Sequence, residues 1–370
     1  MKKIVYWAPV LSKIATLKAV INSAESLKKY SSNYDVTIIN TVGEYDEIKN
    51  NKHGIKIVNF FNDKSRYPGI GFWKTRISLI RLFFKNFYKL KKFLDESQPD
   101  FLLIHLMTSL PMILLILFNF RTKFVLRISG FPKLNIIRYL LWKLALKNFF
   151  YIISPTKKTS EYLIKLNLID KKKIVTIYDP IIKLKKLKKN DIEFSDYFIS
   201  VGRLTKQKNI FLLLDAFKDL YKEELINEKL IIIGDGELKN KIYKYININN
   251  LNNKILLLGY KKNVFDYLVK AKAFVLTSLW EDPGFVLIEA AYCRASIISS
   301  DCMSGPIEFL ENKNNGFLFN SNSKIDLKKK ILDFKKSDQK EILIKKINAL
   351  KEVKKFTSFR HFKDLSNLLK

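Results

Sequence analysis

Short hydrophobic runs alternate with longer segments of helical periodicity along the whole chain. In the first half, the runs with strand character are Lys3–Trp7, Val36–Ile39, Phe101–Ile104, Lys123–Leu126 and Tyr151–Ile153. The same alternation begins again at Tyr197. Strands separated by amphipathic helices are typical of parallel sheets with helices on both faces. The pattern therefore predicts an α/β protein with two doubly wound parallel sheets.

The length supports this division, because 370 residues are too many for one compact sheet. Asp179-Pro180 and the lysine-rich segment 183–190 look like a linker. We therefore predict a first domain over residues 1–180, a linker over 181–192 and a second domain over 193–354. A terminal helix is predicted over 355–370.

The segment 276–302 carries the strongest chemical signal. It reads as a strand, a loop with Glu281, a helix with Glu289 and a second strand, and Gly284 lies where the helix opens. A rise of ~1.5 Å per helical residue separates the two carboxylates by roughly 12 Å. The free amides of the first helical turn would face an anion between them. This layout suits a ligand that carries a sugar, a diphosphate and a ribose in a row.

The same segment resembles the Glu-x7-Glu signature of retaining glycosyltransferases of family 4. The positions in register are Ser278, Glu281, Gly284, Phe285, Leu287, Ile288, Glu289, Ala290, Ser296–Asp301, Ser304–Glu308, Asn315 and Gly316. The resemblance implies the GT-B fold, in which two Rossmann-like domains face each other across a cleft and a terminal helix, here predicted over 355–370, crosses back to the first domain. It also implies that Glu281 contacts the donor sugar and Glu289 the ribose, with Gly284, Phe285 and Val286 in the donor site.

A second match lies upstream, where a hydrophobic strand runs into Gly202, Arg203 and Lys208. A diphosphate without a metal needs cationic partners, and Arg can bind it through two donors at once while Lys acts as a point charge. In the resembled family, an Arg and a Lys at this spacing hold the donor diphosphate. The alternative is that both are ordinary surface cations in a lysine-rich chain.

Two further strand ends resemble parts of the donor site. The run from Leu230 ends at Gly234 and Gly236, but Lys239 stands where a dinucleotide-binding fingerprint needs its third glycine. A dehydrogenase is therefore not predicted, and the resemblance assigns this turn to the donor site. Tyr260, after the strand that ends at Gly259, is a candidate contact for the nucleotide base or a packing residue.

The first domain resembles the family less closely. Its first loop lacks a glycine pair, and no histidine lies near Ser129, where the family pattern leads us to expect one. Candidate acceptor residues are those near the carboxyl ends of strands, where open α/β sheets bind ligands. They are Ser12, His105, Arg127, Ser129 and Gly130. For His105, a satisfied and partly buried histidine is the alternative.

Cysteines and histidines indicate neither a disulfide framework nor a metal site. Cys293 and Cys302 read as reduced thiols, and the three histidines have no metal-ligand spacing. The chain also lacks the Asp-x-Asp motif that would hold a nucleotide-bound divalent ion. We therefore predict no metal and no other cofactor, with the nucleotide sugar acting as a substrate.

Two features bear on membranes and localisation. The uncharged segment 101–120 is long enough to span a bilayer, but Pro111 and its polar residues favour a buried strand and helix. We predict no signal peptide, because Met1 leads directly into a strand, and hence a cytoplasmic protein, with peripheral attachment to the inner face of the plasma membrane left open.

The net charge is +32, and two segments, 72–94 and 134–147, mix aromatic and basic residues at helical spacing. Such helices bind anionic membrane surfaces, or they simply cover their own sheet. No motif supports a nucleic-acid partner.

Together, these observations predict a metal-independent glycosyltransferase. The resemblance implies transfer of a sugar, with retained configuration, from a nucleotide donor to a saccharide or lipid-linked saccharide in cell-surface polysaccharide, lipopolysaccharide or glycolipid synthesis. The alternatives are a non-catalytic membrane-docking protein of GT-B fold, or a different GT-B enzyme such as a phosphorylase or sugar epimerase.

Overall fold

The computed structural model describes residues 1–11, 15–46, 54–61, 72–132, 134–184, 192–310 and 314–370. Over these residues the chain divides into two compact units. The first unit combines Met1–Ile181 with Thr357–Lys370, and the second comprises Ile182–Phe356. The second unit is therefore an insertion between two segments of the first.

The first unit is built on a seven-stranded sheet whose strands are all parallel. Its strands are β1 (Lys2–Trp7), β2 (Tyr34–Asn40), β3 (Lys56–Asn59), β4 (Phe101–Ile104), β5 (Lys123–Arg127), β6 (Tyr151–Ser154) and β7 (Ile174–Thr176). Their order in the sheet is β3-β2-β1-β4-β5-β6-β7. The order reverses between β1 and β4, and such a switch point is where open parallel sheets bind ligands, beyond the carboxyl ends of the strands.

Helices cover both faces of this sheet. They are α1 (Ala15–Tyr30), α2 (Phe72–Ser97), α3 (Ser109–Leu117), α4 (Ile136–Leu146) and α5 (Lys157–Lys165), numbered in chain order. One apolar cluster joins one sheet face to residues of α2, α3, α4 and α5, and a second joins the other face to α1 and to the C-terminal segment. Strands buried on both faces read as continuous hydrophobic runs, which is why β4 has no polar position.

The second unit repeats the architecture with six parallel strands. They are β8 (Tyr197–Val201), β9 (Lys229–Ile233), β10 (Ile255–Gly259), β11 (Ala273–Leu276), β12 (Ser296–Ser300) and β13 (Phe317–Phe319), in the order β10-β9-β8-β11-β12-β13. Its helices are α6 (Ile210–Lys222), α7 (Lys239–Ile248), α8 (Val264–Lys270), α9 (Phe285–Tyr292), α10 (Gly305–Phe309), α11 (Lys324–Lys336) and α12 (Gln339–Val353). The switch point lies between β8 and β11, so the loops after these two strands meet at one sheet edge.

The uncharged segment 101–120 forms a strand and a helix, as predicted. It folds into β4 and α3, and Thr108 precedes the helix without a side-chain capping hydrogen bond. Within the described ranges, no helix combines the length and the apolar composition needed to cross a bilayer.

The C-terminal helix α13 (Ser358–Leu368) belongs to the first unit and packs against α1. A buried hydrogen-bonded chain fixes it there. His361 Nδ1 lies 2.8 Å from the carbonyl oxygen of Tyr178, so this nitrogen carries the proton and donates. Its Nε2 lies 2.8 Å from Ser23 Oγ, which in turn lies 2.8 Å from the Tyr6 hydroxyl. The neutral imidazole therefore links α13 to α1 and β1.

Burial lowers the pKa of His361, because the charged imidazolium is disfavoured in this site. The unfolded chain keeps a histidine pKa of about 6.5 and takes up the proton first as the pH falls. The free energy of unfolding should therefore decrease from about pH 7 downward, until the pH passes the lower pKa of the folded state.

We expect the melting temperature to fall between about pH 7.5 and about pH 5.5, and less steeply in His361→Gln. Calorimetry of both proteins at matched ionic strength measures the two slopes. Part of the slope should persist in the variant, because burial also lowers the pKa of His105 well below its ordinary value. Parallel curves for the wild type and the variant would contradict the assignment.

Candidate functional site

The candidate site of the second unit begins at the loops after β8 and β9, which lie in backbone contact. The amide of Leu204 donates to the carbonyl oxygen of Asp235 over 2.9 Å. A Cβ atom on Gly234 would lie 1.8 Å from the carbonyl oxygen of Gly202, so only glycine fits at position 234. On Gly236, a Cβ atom would lie 2.5 Å from the carbonyl oxygen of Leu204. These glycines are therefore required for close packing of the two loops.

The loop after β8 is also fastened to the loop between β11 and α9. The Thr277 hydroxyl donates to the carbonyl oxygen of Lys208 over 2.9 Å, and the amide of Leu279 donates to that of Gln207 over 2.8 Å. The side-chain amide of Gln207 donates to the carbonyl oxygen of Trp280 over 2.8 Å. These three bonds fix the position of Lys208 relative to Glu281, which follows Trp280 in the loop after β11.

Glu281 and Lys208 form an ion pair through Oε1 and Nζ, and both side chains are largely buried. The Ser278 hydroxyl donates to the same carboxylate oxygen over 2.7 Å. A buried ion pair keeps its partners charged only when further hydrogen bonds replace the lost water. Ser278 supplies one of these bonds, and Ser300 in turn holds the Ser278 carbonyl oxygen over 2.7 Å.

The backbone of Glu281 is held as firmly as its side chain. Its amide donates to the Met303 carbonyl oxygen over 3.0 Å, and its carbonyl oxygen accepts from Ser304 over 2.7 Å. A Cβ atom on Gly305 would lie 1.9 Å from the carbonyl oxygen of Pro283, so α10 begins in direct contact with this loop. The carboxylate of Glu281 is therefore fixed from three sides before any ligand arrives.

The helix α9 starts immediately after this loop. Gly284 is its N-cap residue and has a φ of 91°, a left-handed conformation that favours glycine. The amides of Phe285 and Val286 lie in the first turn, where no carbonyl of the helix itself can pair with them. Glu289 lies one turn further along and is buried. The site thus places two buried carboxylates on either side of a helix N-terminus.

Arg203 and Tyr260 lie at the same sheet edge, but neither is fixed. Arg203 is exposed, and among the described residues its side chain has no ion-pair partner. Tyr260 is 75% exposed, so the interpretation of Tyr260 as a packing residue is wrong. Its contact with the nucleotide base stays a prediction.

Asp235 accepts from the Gly236 amide over 2.8 Å and lies 3.3 Å from Lys239 Nζ. These two contacts lower the pKa of Asp235.

Sequence reasoning did not identify several residues that build the site. Gln207 and Thr277 have no chemical role of their own. The structure shows that their side chains donate to backbone carbonyl oxygens and so fix the two loops. Gly305 belongs to the segment Ser304–Glu308, which matches the family pattern, and this match is the one sequence signal of its packing role. Cys302 lies beside the ion pair, where burial raises the pKa of its thiol to about 12 and keeps it protonated.

The candidate acceptor residues of the first unit cluster at the carboxyl end of β4 and β5. Arg127 forms a buried bidentate ion pair with Asp179 and donates to Ser129 Oγ over 2.9 Å. Ser129 donates to the carbonyl oxygen of His105 over 2.9 Å. Asp179, interpreted from sequence as the start of a linker, is in fact buried, because it neutralises Arg127.

His105 is buried, and its Nδ1 has no hydrogen-bond partner among the described residues. Burial, together with the nearby charge of Arg127, lowers its pKa well below the ordinary value. The alternative of a satisfied histidine is therefore wrong for Nδ1. Gly130 follows Ser129 with a φ of 131°. Ser12 lies outside the described residues.

Within the described ranges, no group of three or more His, Cys, Asp or Glu residues could hold a metal ion.

The fold has close counterparts among solved structures. TarM of S. aureus, solved with UDP and alpha-GlcNAc-glycerol, superimposes with a TM-score of 0.76 at 16% identity, over 100% of both chains. Two Rossmann-like units, each built on a parallel sheet, define the GT-B class, so the predicted fold class is confirmed.

The family follows from sequence comparison. A family model described as "Glycosyl transferases group 1" matches residues 183–351. An uncharacterized glycosyltransferase of Methanocaldococcus jannaschii is 36% identical over 307 residues, which cover 76% of this chain and 70% of that protein. The chain belongs to the group 1 glycosyl transferases, and it is a glycosyltransferase.

A second relative has a more specific name. The N-acetylgalactosamine-N,N'-diacetylbacillosaminyl-diphospho-undecaprenol 4-alpha-N-acetylgalactosaminyltransferase of Campylobacter jejuni is 37% identical over 172 residues. The match covers 45% of this chain and 46% of that protein.

The loop packing yields a stability prediction. Gly234→Ala should lower the free energy of unfolding of the second unit by roughly 3 kcal/mol, because its methyl group meets a backbone oxygen that cannot move alone. Gly259→Ala is the control, since the nearest atom to its Cβ is Lys239 Nζ at 4.0 Å and its φ of 67° leaves only backbone strain. That strain costs about 1 kcal/mol. Urea titrations of both variants decide the matter, and equal losses would contradict the steric argument.

Proposed function

We propose that the second unit binds a nucleotide-diphosphate sugar, with the buried carboxylate of Glu281 facing the sugar. The observation that carries this proposal is the ion pair between Glu281 and Lys208, fixed by Ser278 beside the first turn of α9. One negative and one positive group side by side match a donor whose sugar hydroxyls adjoin a diphosphate.

Lys208 and Arg203 bind the diphosphate in this proposal. Lys208 is fixed, whereas Arg203 is exposed and can close on the phosphates with its planar guanidinium. The amides of Phe285 and Val286 add donors at the positive end of the α9 dipole. Together these groups supply positive charge without a bound metal, so we propose metal-independent transfer.

The remaining donor contacts follow from the same sheet edge. Glu289, buried one turn into α9, binds the ribose hydroxyls. The glycines at 202, 234 and 236 shape this side of the site by letting its loops pack closely, and Gly284 opens the helix. We propose that exposed Tyr260 stacks on the nucleotide base.

The chemistry is the departure of a nucleoside diphosphate from the anomeric carbon of the donor. Positive charge develops on the sugar ring as in other glycosyl transfer, and negative charge develops on the leaving phosphate. Lys208 and Arg203 stabilise the second charge, and fixed groups of this kind are the largest catalytic contribution in many enzymes. We propose that the acceptor hydroxyl attacks the anomeric carbon from the face that the diphosphate leaves, with retained configuration, as the resemblance to retaining glycosyltransferases of family 4 implies.

We further propose that the first unit binds the acceptor at the carboxyl end of β4 and β5. We propose that His105 Nδ1, which has no hydrogen-bond partner among the described residues, binds an acceptor or sugar hydroxyl, while Ser129 and Gly130 line the same edge. Arg127 is engaged by Asp179 and acts mainly by holding Ser129. Ser12 belongs to the same proposed side.

The acceptor is a saccharide linked to a lipid diphosphate, a class supported by the Campylobacter jejuni relative, whose name specifies diphospho-undecaprenol. The product then enters cell-surface polysaccharide, lipopolysaccharide or glycolipid synthesis. A cytoplasmic enzyme at an anionic membrane surface fits this acceptor and the net charge of +32.

Donor binding is tested by a thermal-shift panel of uridine, guanosine and adenosine diphosphate sugars without added metal. We expect one base to raise the melting temperature of the wild type. Arg203→Gln should weaken that donor about tenfold or more, because a charge-assisted hydrogen bond is lost. Exposed Lys206→Gln, three residues away, is the matched control and should bind normally. Unchanged donor affinity in Arg203→Gln would remove that residue from the site.

The role of Glu281 is tested with Glu281→Gln rather than Ala, because the amide keeps the shape beside Lys208. Transfer should fall about a hundredfold or more, as when one preorganised electrostatic group is removed. The fold should remain intact by circular dichroism. Glu224→Gln, an exposed carboxylate that follows α6 in the second unit, serves as the control. Near-normal turnover in Glu281→Gln would refute the proposed role.

A further inference from the structure

The solvent-facing side of α2 carries an apolar stripe that the core does not use. Ile77, Ile80, Phe84 and Tyr88 recur at helical spacing, and Phe84 and Tyr88 are 72% and 70% exposed. The opposite side of the helix packs Leu82, Leu90 and Leu94 into the unit. This helix therefore covers its own sheet and still presents a second apolar face.

The helix α4 has the same two-sided character. Its inner side buries Trp142, Ala145 and Leu146. Its outer side carries Ile136 and Ile137, which are 80% and 79% exposed, together with Leu140 and Leu144. An amphipathic helix of a globular protein normally turns polar residues to water, so four outward aliphatic side chains need an explanation.

The helix α3 joins these two surfaces. It packs against both α2 and α4, and it exposes Ile116 and Leu117. All three helices cover the same face of the seven-stranded sheet. We give the name α2–α4 face to the α2 stripe together with the exposed apolar side chains of α3 and α4; its members are Ile77, Ile80, Phe84, Tyr88, Ile116, Leu117, Ile136, Ile137, Leu140 and Leu144.

Cations surround this face, and acidic residues are nearly absent. Between Phe72 and Ser160 the sequence contains only three acidic residues, Asp95, Glu96 and Asp100. Arg81 lies beside the α2 stripe and is exposed, and Lys143 and Lys147 lie on the exposed side of α4. Long basic side chains can extend outward while their stems lie along apolar surface.

We propose that the α2–α4 face is a docking surface for an anionic lipid bilayer. Its aliphatic and aromatic side chains enter the boundary between headgroups and acyl chains, and the lysines and arginines contact the lipid phosphates. Both components are needed, since an apolar face of this size alone would favour self-association, and charge alone binds reversibly and loosely.

Charge and side-chain type favour a membrane over other polyanions. Nucleic-acid sites stack bases on aromatic rings, whereas the α2–α4 face is mostly isoleucine and leucine, which cannot stack, and Phe84 and Tyr88 are its two aromatic side chains. With no bilayer-spanning helix among the described residues, attachment through a helical face is the mode that these residues offer. The proposal rests on the proposed function only in that a lipid-linked acceptor also lies at a membrane.

The test is sedimentation with vesicles of phosphatidylcholine alone or mixed with phosphatidylglycerol. The wild type should bind only the anionic vesicles. Lys143→Gln combined with Lys147→Gln should weaken binding about tenfold or more. Ile137→Ser combined with Leu140→Ser should do the same through lost apolar burial.

Matched controls lie on the second unit. Lys336→Gln with Lys340→Gln removes the same charge at the same spacing, and Ile325→Ser removes an isoleucine that is 80% exposed. Both should bind like the wild type. Equal losses in the controls and the α4 variants, or no binding by the wild type, would overturn the proposal.

A labelling experiment locates the contact independently. The native cysteines Cys293 and Cys302 are buried, so an environment-sensitive fluorophore can be placed selectively on Leu140→Cys or on Ile325→Cys. Anionic vesicles should shift only the emission of the label at position 140 to the blue, and an unshifted label there would refute insertion. Donor binding is measured separately without vesicles, so loss of that binding would concern the second unit and leave the docking result intact.

Discussion

Close packing of backbone segments positions the ion pair between Lys208 and Glu281, and with it the rest of the donor side. Three loops meet at the carboxyl edge of the second sheet, and two of their contacts admit no side chain at Gly234 or Gly305. Hydrogen bonds from Thr277 and Gln207 complete the frame. The charged groups are therefore oriented before a ligand binds, which is the condition under which electrostatic stabilisation costs no reorganisation. A looser frame would leave two buried charges incompletely satisfied.

The fold could be predicted from sequence because strands and helices each leave a local pattern of hydrophobic positions. Strands buried on both faces give apolar runs, and β8 contains five buried residues in succession. The motif around Glu281 and Glu289 was equally accessible, since both lie on one continuous segment. The direct contact between Lys208 and Glu281 was not, because it joins residues 73 positions apart in sequence. A parallel sheet brings strand ends together regardless of their distance along the chain.

Two other features were hidden for related reasons. Asp179 sits before a lysine-rich segment and looks like a linker residue, yet its partner Arg127 lies 52 positions away. In α2 and α4, periodicity revealed that helices form but not which apolar stripe faces the sheet. Both stripes have helical spacing, so only packing against β-strands distinguishes them. For the same reason, the sequence left the membrane and sheet-covering interpretations of these helices open.

The position of α13 has a consequence for how this protein is made. The helix packs beside α1 and contributes Leu365 and Leu369 to the same apolar cluster as Val20 and Leu27. Ribosomal synthesis delivers α1 long before α13. The inserted second unit has its own core and can fold while the first still lacks α13. The first unit is therefore begun before the second and completed after it, and until α13 has been synthesised part of the apolar surface of the first unit stays exposed.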